Sequence, residues 1–388
     1  MSKQPRIAVG LSQLPSTIDA FAEAAEVARS GLGGSADLCF AFVGGQHLAE
    51  LDAALLEIRA RLDPAAMVGC GAAGVVGPGR EVEDGPAAVV WAAELPGAEI
   101  ETFEVRGEPG ADPELMEGLP EPGAPADAVI VLADPRRFPT DGLVRRLGEE
   151  QPGTPVLGGL ASAALDSAGC LIRDGEGTDA GAVGCALRGV DVTPCVSQGA
   201  SPVGPEIAIT EAEGNTIHEL AFKPALERVS EIVAGLGPDE RRQAAAGMLV
   251  GIVIDENRPE HERGDFLVRP IVGADRESGA IVVGEGVRVG QTLRLHVRDG
   301  ASADADLRDA LGLQSDALGE AGAAGALMFT CNGRGRRMFD LPDHDADAFE
   351  DALAAPVGGF FCAGEIGPVG GRNFLHGFTA TMAIFAAG

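Results

Sequence analysis

The sequence predicts an α/β protein with mixed sheets, made of two related halves. Apolar runs of strand length alternate with helical patterns along the chain, which is typical of this fold class. A strand–helix–strand pattern also recurs three times, and an apolar strand residue is followed at nearly constant spacing by Gly69, Gly158 and Gly358. This spacing indicates internally repeated units. The alternative is coincidental spacing in an ordinary α/β chain.

The first repeat shows how the pattern assigns each element. Residues 6–11 have the apolar pattern of a strand, and Ser16 or Thr17 can cap a following helix that Gly31 ends. Residues 38–43 form a buried strand. The next helix has large aliphatic residues at helical spacing, which are Leu48, Leu51, Leu55, Ile58 and Leu62. A short strand that runs into a glycine turn completes the repeat.

The second and third repeats have the same order of elements. Strand 129–134 leads through a helix around Leu143 to a strand that begins at Val156. Strand 327–331 leads through a helix around Phe349 to a strand at Val357. Further strands are predicted at 87–94, 100–105, 180–187, 192–197, 206–210, 280–283 and 292–298.

Two segments rich in glycine, proline and acidic residues interrupt this pattern. Residues 108–125 are interpreted as a surface loop, and residues 199–215 as a domain boundary. A new helix starts near Pro224. We therefore divide the chain near residue 219, into an N-terminal domain 1–219 and a C-terminal domain 220–388.

The chain is strongly acidic, with a formal net charge of -30 and a pI near 4.4 over 388 residues. Nucleic acid and anionic membrane surfaces would be repelled, so neither is an expected partner. Lysine is nearly absent and arginine replaces it. A GC-rich genome and adaptation to a saline habitat both fit this composition, and the sequence does not choose between them.

The cysteine pattern and the absence of export signals predict a cytoplasmic protein. The seven cysteines are Cys39, Cys70, Cys170, Cys185, Cys195, Cys331 and Cys362. None are paired as CxxC, so we expect free thiols in a reducing compartment. The N-terminus lacks a signal peptide, and no apolar run is long enough to span a bilayer.

Motifs in both halves resemble those of one known family, the FIST family. In the first half they are Val68-Gly-Cys-Gly, Pro155-Val-Leu-Gly-Gly-Leu, Ser197-Gln-Gly199, and Thr210 before Gly214-Asn215. In the second half they are Phe329-Thr-Cys-Asn-Gly-Arg-Gly335, Phe339, Gly358-Gly-Phe-Phe-Cys-Ala-Gly-Glu-Ile-Gly-Pro368 and Phe374-Leu-His376. The resemblance implies an N-terminal and a C-terminal FIST domain.

The resemblance also implies a role in sensing small ligands, with amino acids or similar carboxylate metabolites as candidates. Signalling output segments such as a histidine kinase are not present in this sequence. We therefore expect any output to pass through a signalling protein partner in trans.

Arg334 and Glu365 are the leading candidates for ligand contacts. Arg334 lies between two glycines, and its guanidinium suits a carboxylate or phosphate group. Glu365 lies in a glycine-rich turn and suits an ammonium group. Together they would hold the two ends of an α-amino acid. The alternatives are a structural salt bridge between the two side chains, or a buried carboxylate that binds backbone amides.

Cys331 and His376 leave an enzymatic alternative open. A nucleophilic cysteine needs a nearby base and a depressed pKa, and Cys331, Glu365 and His376 are the candidate catalytic residues for a hydrolase-like enzyme. The alternative is a buried thiol and a packed histidine. A third class, a protein-interaction module, would instead show an exposed apolar patch and no pocket.

The predicted pocket lies at the glycine-rich strand ends of both halves. The residues assigned to it are Gly69, Cys70, Gly158, Gly159, Ser162, Cys331, Asn332, Arg334, Cys362, Gly364 and Glu365. We expect no cofactor. Histidines are scattered singly, so we assign no metal site. The acidic residues Asp343, Asp345 and Asp347 are interpreted as a solvated helix start, with a cation site that includes His344 as the alternative.

Overall fold

A computed structural model of the chain describes residues 4–107, 112–120, 125–136, 138–163, 171–258, 260–261 and 264–388. Within these ranges the chain forms seven α-helices and twenty-five strands in mixed sheets, which confirms the predicted α/β class. Cys170 and parts of the predicted loop at 108–125 lie outside the described residues. Among the described helices, none has the length and apolar character needed to cross a bilayer.

The elements are numbered in chain order. The strands are β1 (Arg6–Ser12), β2 (Leu38–Gly44), β3 (Ala66–Ala72), β4 (Val75–Gly77), β5 (Arg80–Val82), β6 (Ala87–Glu94), β7 (Glu99–Val105), β8 (Ala128–Ala133), β9 (Val156–Leu160), β10 (Leu171–Arg173), β11 (Glu176–Thr178), β12 (Ala182–Arg188), β13 (Val192–Ser197), β14 (Ser201–Glu213), β15 (Thr216–Leu220), β16 (Lys223–Pro224), β17 (Met248–Val253), β18 (Phe266–Ala274), β19 (Ile281–Val283), β20 (Thr292–Val297), β21 (Ala323–Cys331), β22 (Val357–Cys362), β23 (Glu365–Val369), β24 (Arg372–His376) and β25 (Ala380–Ala386). The α-helices are α1 (Thr17–Gly31), α2 (Leu51–Leu62), α3 (Thr140–Glu150), α4 (Ala225–Gly235), α5 (Pro238–Ala246), α6 (Gly300–Leu318) and α7 (His344–Leu353).

The chain forms two compact units, and the second is inserted into the first. The first unit contains Met1–Ser197 and Leu307–Gly388, and the second contains Gln198–Asp306. The division near residue 219 stays a prediction about sequence domains. The compact units are divided at different positions, after Ser197 and after Asp306, because the residues after 306 belong to the first unit.

The first unit contains three six-stranded sheets, and equivalent strands occupy equivalent positions in all three. At the centre of each sheet is a parallel pair joined by a helix, and the pairs are β2–β3, β8–β9 and β21–β22. An antiparallel strand, β6, β12 or β25, lies on one side of each pair. The three predicted strand–helix–strand segments therefore have matching topology, and their origin by duplication stays a hypothesis.

A hairpin follows each parallel pair and joins a different sheet. The β4–β5 hairpin follows β3 and pairs with β22. The β10–β11 hairpin follows β9 and pairs with β3, and the β23–β24 hairpin follows β22 and pairs with β9. Each sheet is thus completed by the hairpin of another repeat, and the three sheets are linked in a closed cycle.

One glycine occupies the same place in each parallel pair. A Cβ atom at any of these glycines would clash with the carbonyl oxygen of its register partner. The pairs and their Cβ–O distances are Gly69–Ala41 (2.2 Å), Gly158–Val131 (1.9 Å) and Gly359–Met328 (1.8 Å). Close backbone approach therefore explains the repeated glycine. Its third member is Gly359, one residue beyond the Gly358 that the spacing indicated.

Aromatic side chains fill the centre of the first unit. The fully buried members are Phe40, Phe42, Trp91, Phe329, Phe360 and Phe385. The indole N–H of Trp91 donates to the carbonyl oxygen of Ala326 at 3.0 Å, so its polar atom is satisfied in the core. This packing fixes β21 and β22, whose ends carry the candidate site.

The second unit is a closed antiparallel barrel. Its strands are ordered β14-β20-β17-β18-β19-β15, and β14 also pairs with β15, which closes the ring. Aliphatic side chains fill its interior, and α4 contributes Ala225, Val229 and Ile232 to that core. The sequence pattern predicts several of these strands but not the closure.

Candidate functional site

The carboxyl ends of β21 and β22 bring two cysteines and an asparagine to one sheet edge. Cys331 and Cys362 are register partners in the parallel pair. The backbone N–H of Asn332 donates to the Cys362 carbonyl at 2.9 Å, which extends the pairing by one step. The polar residues that follow the two strands are held at the same edge because parallel strands end on the same side.

Strand β9 of the second repeat borders this edge. Gly159 is the register partner of Glu365, and the backbone N–H of Leu160 donates to the Gly364 carbonyl at 2.8 Å. A Cβ atom at Gly159 would lie 2.3 Å from Sγ of Cys362. Gly159 therefore leaves the room that the Cys362 thiol occupies, and the structure brings these predicted residues together.

Ser162 and Cys70 connect the first repeat with the same edge. The Ser162 hydroxyl donates to the Phe361 carbonyl and accepts the backbone N–H of Ala73 at 2.9 Å. Cys70 is fully buried. Burial, with contributions from Glu365 and Cys70, raises the pKa of the Cys362 thiol well above its usual range. Ser162 thus ties strand ends together in this structure.

Arg334 is fully buried and binds Asp345, not Glu365. Its Nε and Nη2 atoms donate to the two carboxylate oxygens of Asp345 at 2.7 and 2.8 Å. The Thr330 hydroxyl donates to the same carboxylate at 2.6 Å. Burial opposes ionisation of Asp345, but the guanidinium outweighs that effect and holds the carboxyl pKa well below its usual range. The salt bridge between Arg334 and Glu365 that the sequence left open is therefore not formed, and Arg334 pairs with Asp345 instead.

Asp345 corrects the interpretation of the acidic helix start as solvated. Its side chain is 1% exposed, and His344 Nδ1 lies 2.9 Å from its Oδ1. The His344 ring stacks on Phe339 with centroids 3.4 Å apart, and the Arg334 guanidinium lies 5.2 Å from the same phenyl centroid. Asp345 is therefore the centre of a buried polar cluster. The sequence did not predict this burial, because Asp345 alternates with other acidic residues and charge alone does not show which of them is exposed.

Glu81 on β5 caps the start of α7 and was missed by the sequence analysis. Its Oε1 accepts the backbone N–H groups of Asp345 and Ala346 at 2.8 and 3.1 Å. A carboxylate is favoured at a helix N-terminus. Burial and the nearby Asp345 nevertheless raise the pKa of Glu81 to about 8. No pattern marks Glu81, because it lies in a three-residue strand of a hairpin that joins the sheet of another repeat.

Glu365, the first residue of β23, is fully buried. Its Oε2 accepts the backbone N–H and the hydroxyl of Thr379 at 3.0 and 2.9 Å. Its Oε1 accepts no hydrogen bond of normal geometry from the part of the chain that the structure describes. Burial raises the pKa of Glu365 to about 7, against the opposing effects of Thr379 and the Cys331 thiol. One oxygen of a buried carboxyl group is thus open to a new donor.

The Cys331 thiol stays protonated at neutral pH. Burial and the neighbouring Glu365 raise its pKa to about 12, although the backbone N–H of Gly333 donates to its sulfur at 3.4 Å. His376 Nε2 lies 2.9 Å from the carbonyl oxygen of Gly367. A nucleophilic cysteine needs a depressed pKa. This environment does not supply the depressed pKa that nucleophilic catalysis by Cys331 would need.

Asn332 offers a second polar group beside Cys331. Its side chain is half-buried, and its amide makes no hydrogen bond to the residues covered by the structure. The amide has both a donor and an acceptor. It is therefore available to a ligand without disruption of an existing contact, unlike the guanidinium of Arg334.

Comparisons with known proteins cover nearly the whole chain. Residues 37–223 match the FIST N domain, and residues 225–368 match the FIST C domain. An uncharacterised protein of Mycobacterium tuberculosis is 42% identical over 383 residues, which span 98% of this chain and 99% of that relative. An uncharacterised protein of Mycobacterium bovis is 42% identical over 384 residues, which span 98% of each chain.

Proposed function

This chain belongs to the FIST family, and on that premise we propose that it senses a small metabolite that carries an ammonium group, an amino acid in the first instance. FIST domains are generally sensory, small-ligand-binding domains of signal transduction. The observation that carries the proposal is the buried Glu365 carboxyl group with one unsatisfied oxygen.

An ammonium group suits this carboxyl group for two physical reasons. A charge-assisted hydrogen bond to Oε1 would satisfy the remaining acceptor. A bound cation would also favour the ionised form, which burial alone disfavours. A neutral hydroxyl would supply the first effect without the second, so we expect amines to bind more tightly than alcohols.

The ligand carboxylate would be held by Asn332 in this proposal. The Arg334 guanidinium already binds both oxygens of Asp345, and removal of one partner from a buried ion pair is strongly unfavourable. Arg334 would therefore hold the glycine-rich turn in place, while the Asn332 amide donates to the ligand. The glycines at the strand ends would allow the ligand to approach the backbone closely.

Calorimetric titration with a panel of amino acids, their N-acetyl forms and their decarboxylated amines tests the proposal. We expect an amino acid to bind, its N-acetyl form to fail, and Glu365→Gln to weaken binding by about tenfold or more, because a charge-assisted hydrogen bond is lost. We expect Asn332→Ala to weaken binding of the amino acid but not of its decarboxylated amine.

Glu81→Gln is the matched control, because it removes a second buried carboxyl group of the same unit without changing Glu365. Equal affinity in the wild type and Glu365→Gln, or equal losses in Glu365→Gln and Glu81→Gln, would contradict a direct contact. The absence of binding by every amine in the panel would refute the function itself.

A signalling partner in trans is the second part of this proposal. We expect a bound ligand to change the affinity for that partner, since a sensor must couple two binding events. Affinity capture from the source cell with and without the identified ligand would test this coupling, and identical recovery in both conditions would contradict it.

A further inference from the structure

Phe378 has an unusual backbone conformation next to the Glu365 carboxyl group. Its φ is 66°, in the left-handed region, where a bulky residue is a genuine outlier. The residue is nevertheless 42% exposed, so burial of the ring in the core does not explain the conformation. Such outliers persist when surrounding contacts determine them, and they cluster at ligand sites.

The contacts of Phe378 link its ring to the polar groups of the site. A Cβ atom at Gly333 would lie 2.5 Å from ring atoms Cδ1 and Cε1 of Phe378 and 3.6 Å from Sγ of Cys331. The ring and the thiol therefore border the same small volume above Gly333. The backbone N–H of Phe378 also donates to the Cys331 sulfur.

The next residue completes this arrangement. Thr379 donates both of its groups to Glu365 Oε2, and the Cys331 thiol contacts the same carboxyl group. An exposed aromatic ring, a thiol and a buried carboxyl group thus follow one another from the surface inward. The left-handed turn at Phe378 is what places the ring over Gly333 while Thr379 faces Glu365.

We propose that Phe378 is a specificity-determining residue, whose ring forms the outer wall of the Glu365 site and selects ligands with an ammonium group. The face of a phenyl ring attracts a cation and gives no such attraction to a neutral group. A ligand ammonium would lie between the carboxylate and the ring. This inference rests on the proposed amine-binding function and assigns the selectivity of that site.

Two substitutions of Phe378 distinguish its role as the outer wall of the site from its contact with the ligand cation. Phe378→Gly relieves the left-handed backbone and removes the ring, whereas Phe378→Leu keeps an apolar side chain of similar bulk without a π-face. Gly377→Ala is the control, because a Cβ atom there meets nothing within 4 Å. Alkylation of Cys331 by N-ethylmaleimide, followed by peptide mass spectrometry, reports access to the site without any ligand.

We expect Phe378→Gly to speed alkylation of Cys331 at least about tenfold, and Phe378→Leu and Gly377→Ala to leave it near the wild-type rate. For the amino acid found by calorimetry, both Phe378 variants should weaken binding by roughly 3- to 30-fold, the range of a cation–π contact. An unchanged alkylation rate in Phe378→Gly would refute the claim that the ring forms the outer wall of the site. Unchanged amine affinity in both Phe378 variants would refute the role of Phe378 in selectivity and leave the proposed function standing. Failure of the wild type to bind any amine would refute both.

Discussion

Replacement of Glu365 by glutamine is expected to stabilise the protein at alkaline pH. Burial raises the pKa of this carboxyl group from 4.5 to about 7, so the unfolded chain releases its proton at a lower pH than the folded protein. The free energy of unfolding therefore falls as pH rises from about 4.5 to about 7. At 1.36 kcal/mol per pKa unit, the shift corresponds to a loss of roughly 3 kcal/mol above pH 8.

Glutamine removes this titration while its side-chain oxygen can still accept both hydrogen bonds from Thr379. We expect Glu365→Gln and the wild type to have similar stability near pH 4.5, and the variant to be more stable by about 2–3 kcal/mol at pH 8.5. Glu81 also has a raised pKa, so the wild type itself loses more stability than Glu365 alone accounts for. The difference between the two proteins isolates Glu365.

Denaturant unfolding followed by tryptophan fluorescence measures this difference. The single tryptophan, Trp91, is buried in the first unit and reports on the unit that holds Glu365. Glu149→Gln makes the same chemical change at an exposed position of α3 and should alter stability by less than about 0.5 kcal/mol at either pH. A Glu365→Gln variant that is less stable than the wild type at pH 8.5 would refute the reasoning, since the carboxylate would then be ionised and stabilising.

Two further predictions concern the packing around the site. Asp345→Asn leaves the buried Arg334 guanidinium without its carboxylate and should lower the free energy of unfolding by about 3–5 kcal/mol; an unchanged denaturation midpoint would contradict a buried ion pair. Gly158→Ala places a Cβ atom 1.9 Å from the Val131 carbonyl oxygen and should cost at least ~3 kcal/mol. Gly153→Ala, at a positive φ with open space around it, should cost only about 1–2 kcal/mol, and equal thermal stability of these two variants would exclude the close approach.

The local pattern of the chain predicted the parallel pairs but not how the sheets are completed. Helical and strand periodicity are properties of short windows, so β2, α2 and β3 were found in order. Four of the hairpin strands, β4, β5, β10 and β11, have only three residues each. Such strands are too short to show a periodic pattern. Strands β4 and β10 also pair with strands of other repeats, and no local signal specifies such pairing.

The site was predicted where it depends on strand ends and missed where it depends on burial. Cys331 and Cys362 are the last residues of their strands and Glu365 comes shortly after one of them, so their convergence could be expected from the repeat. Asp345 and Glu81 looked like ordinary acidic residues, because nothing in their sequence neighbours distinguishes a buried carboxylate from a solvated one. The sequence therefore suggested Glu365, which lies in a recognisable motif, as the partner of Arg334, and not Asp345.

The cyclic exchange of hairpins has a consequence for synthesis of the chain on the ribosome. The hairpin that covers β22 is made well before β22, and the hairpin that covers β3 is made about one hundred residues after it. The strand that covers β9, β23, is made about two hundred residues after β9. Until then β9 exposes unpaired backbone groups that can template aggregation. The nascent chain therefore carries the open edge of β9 through about half of its translation, and a chaperone would act at this edge.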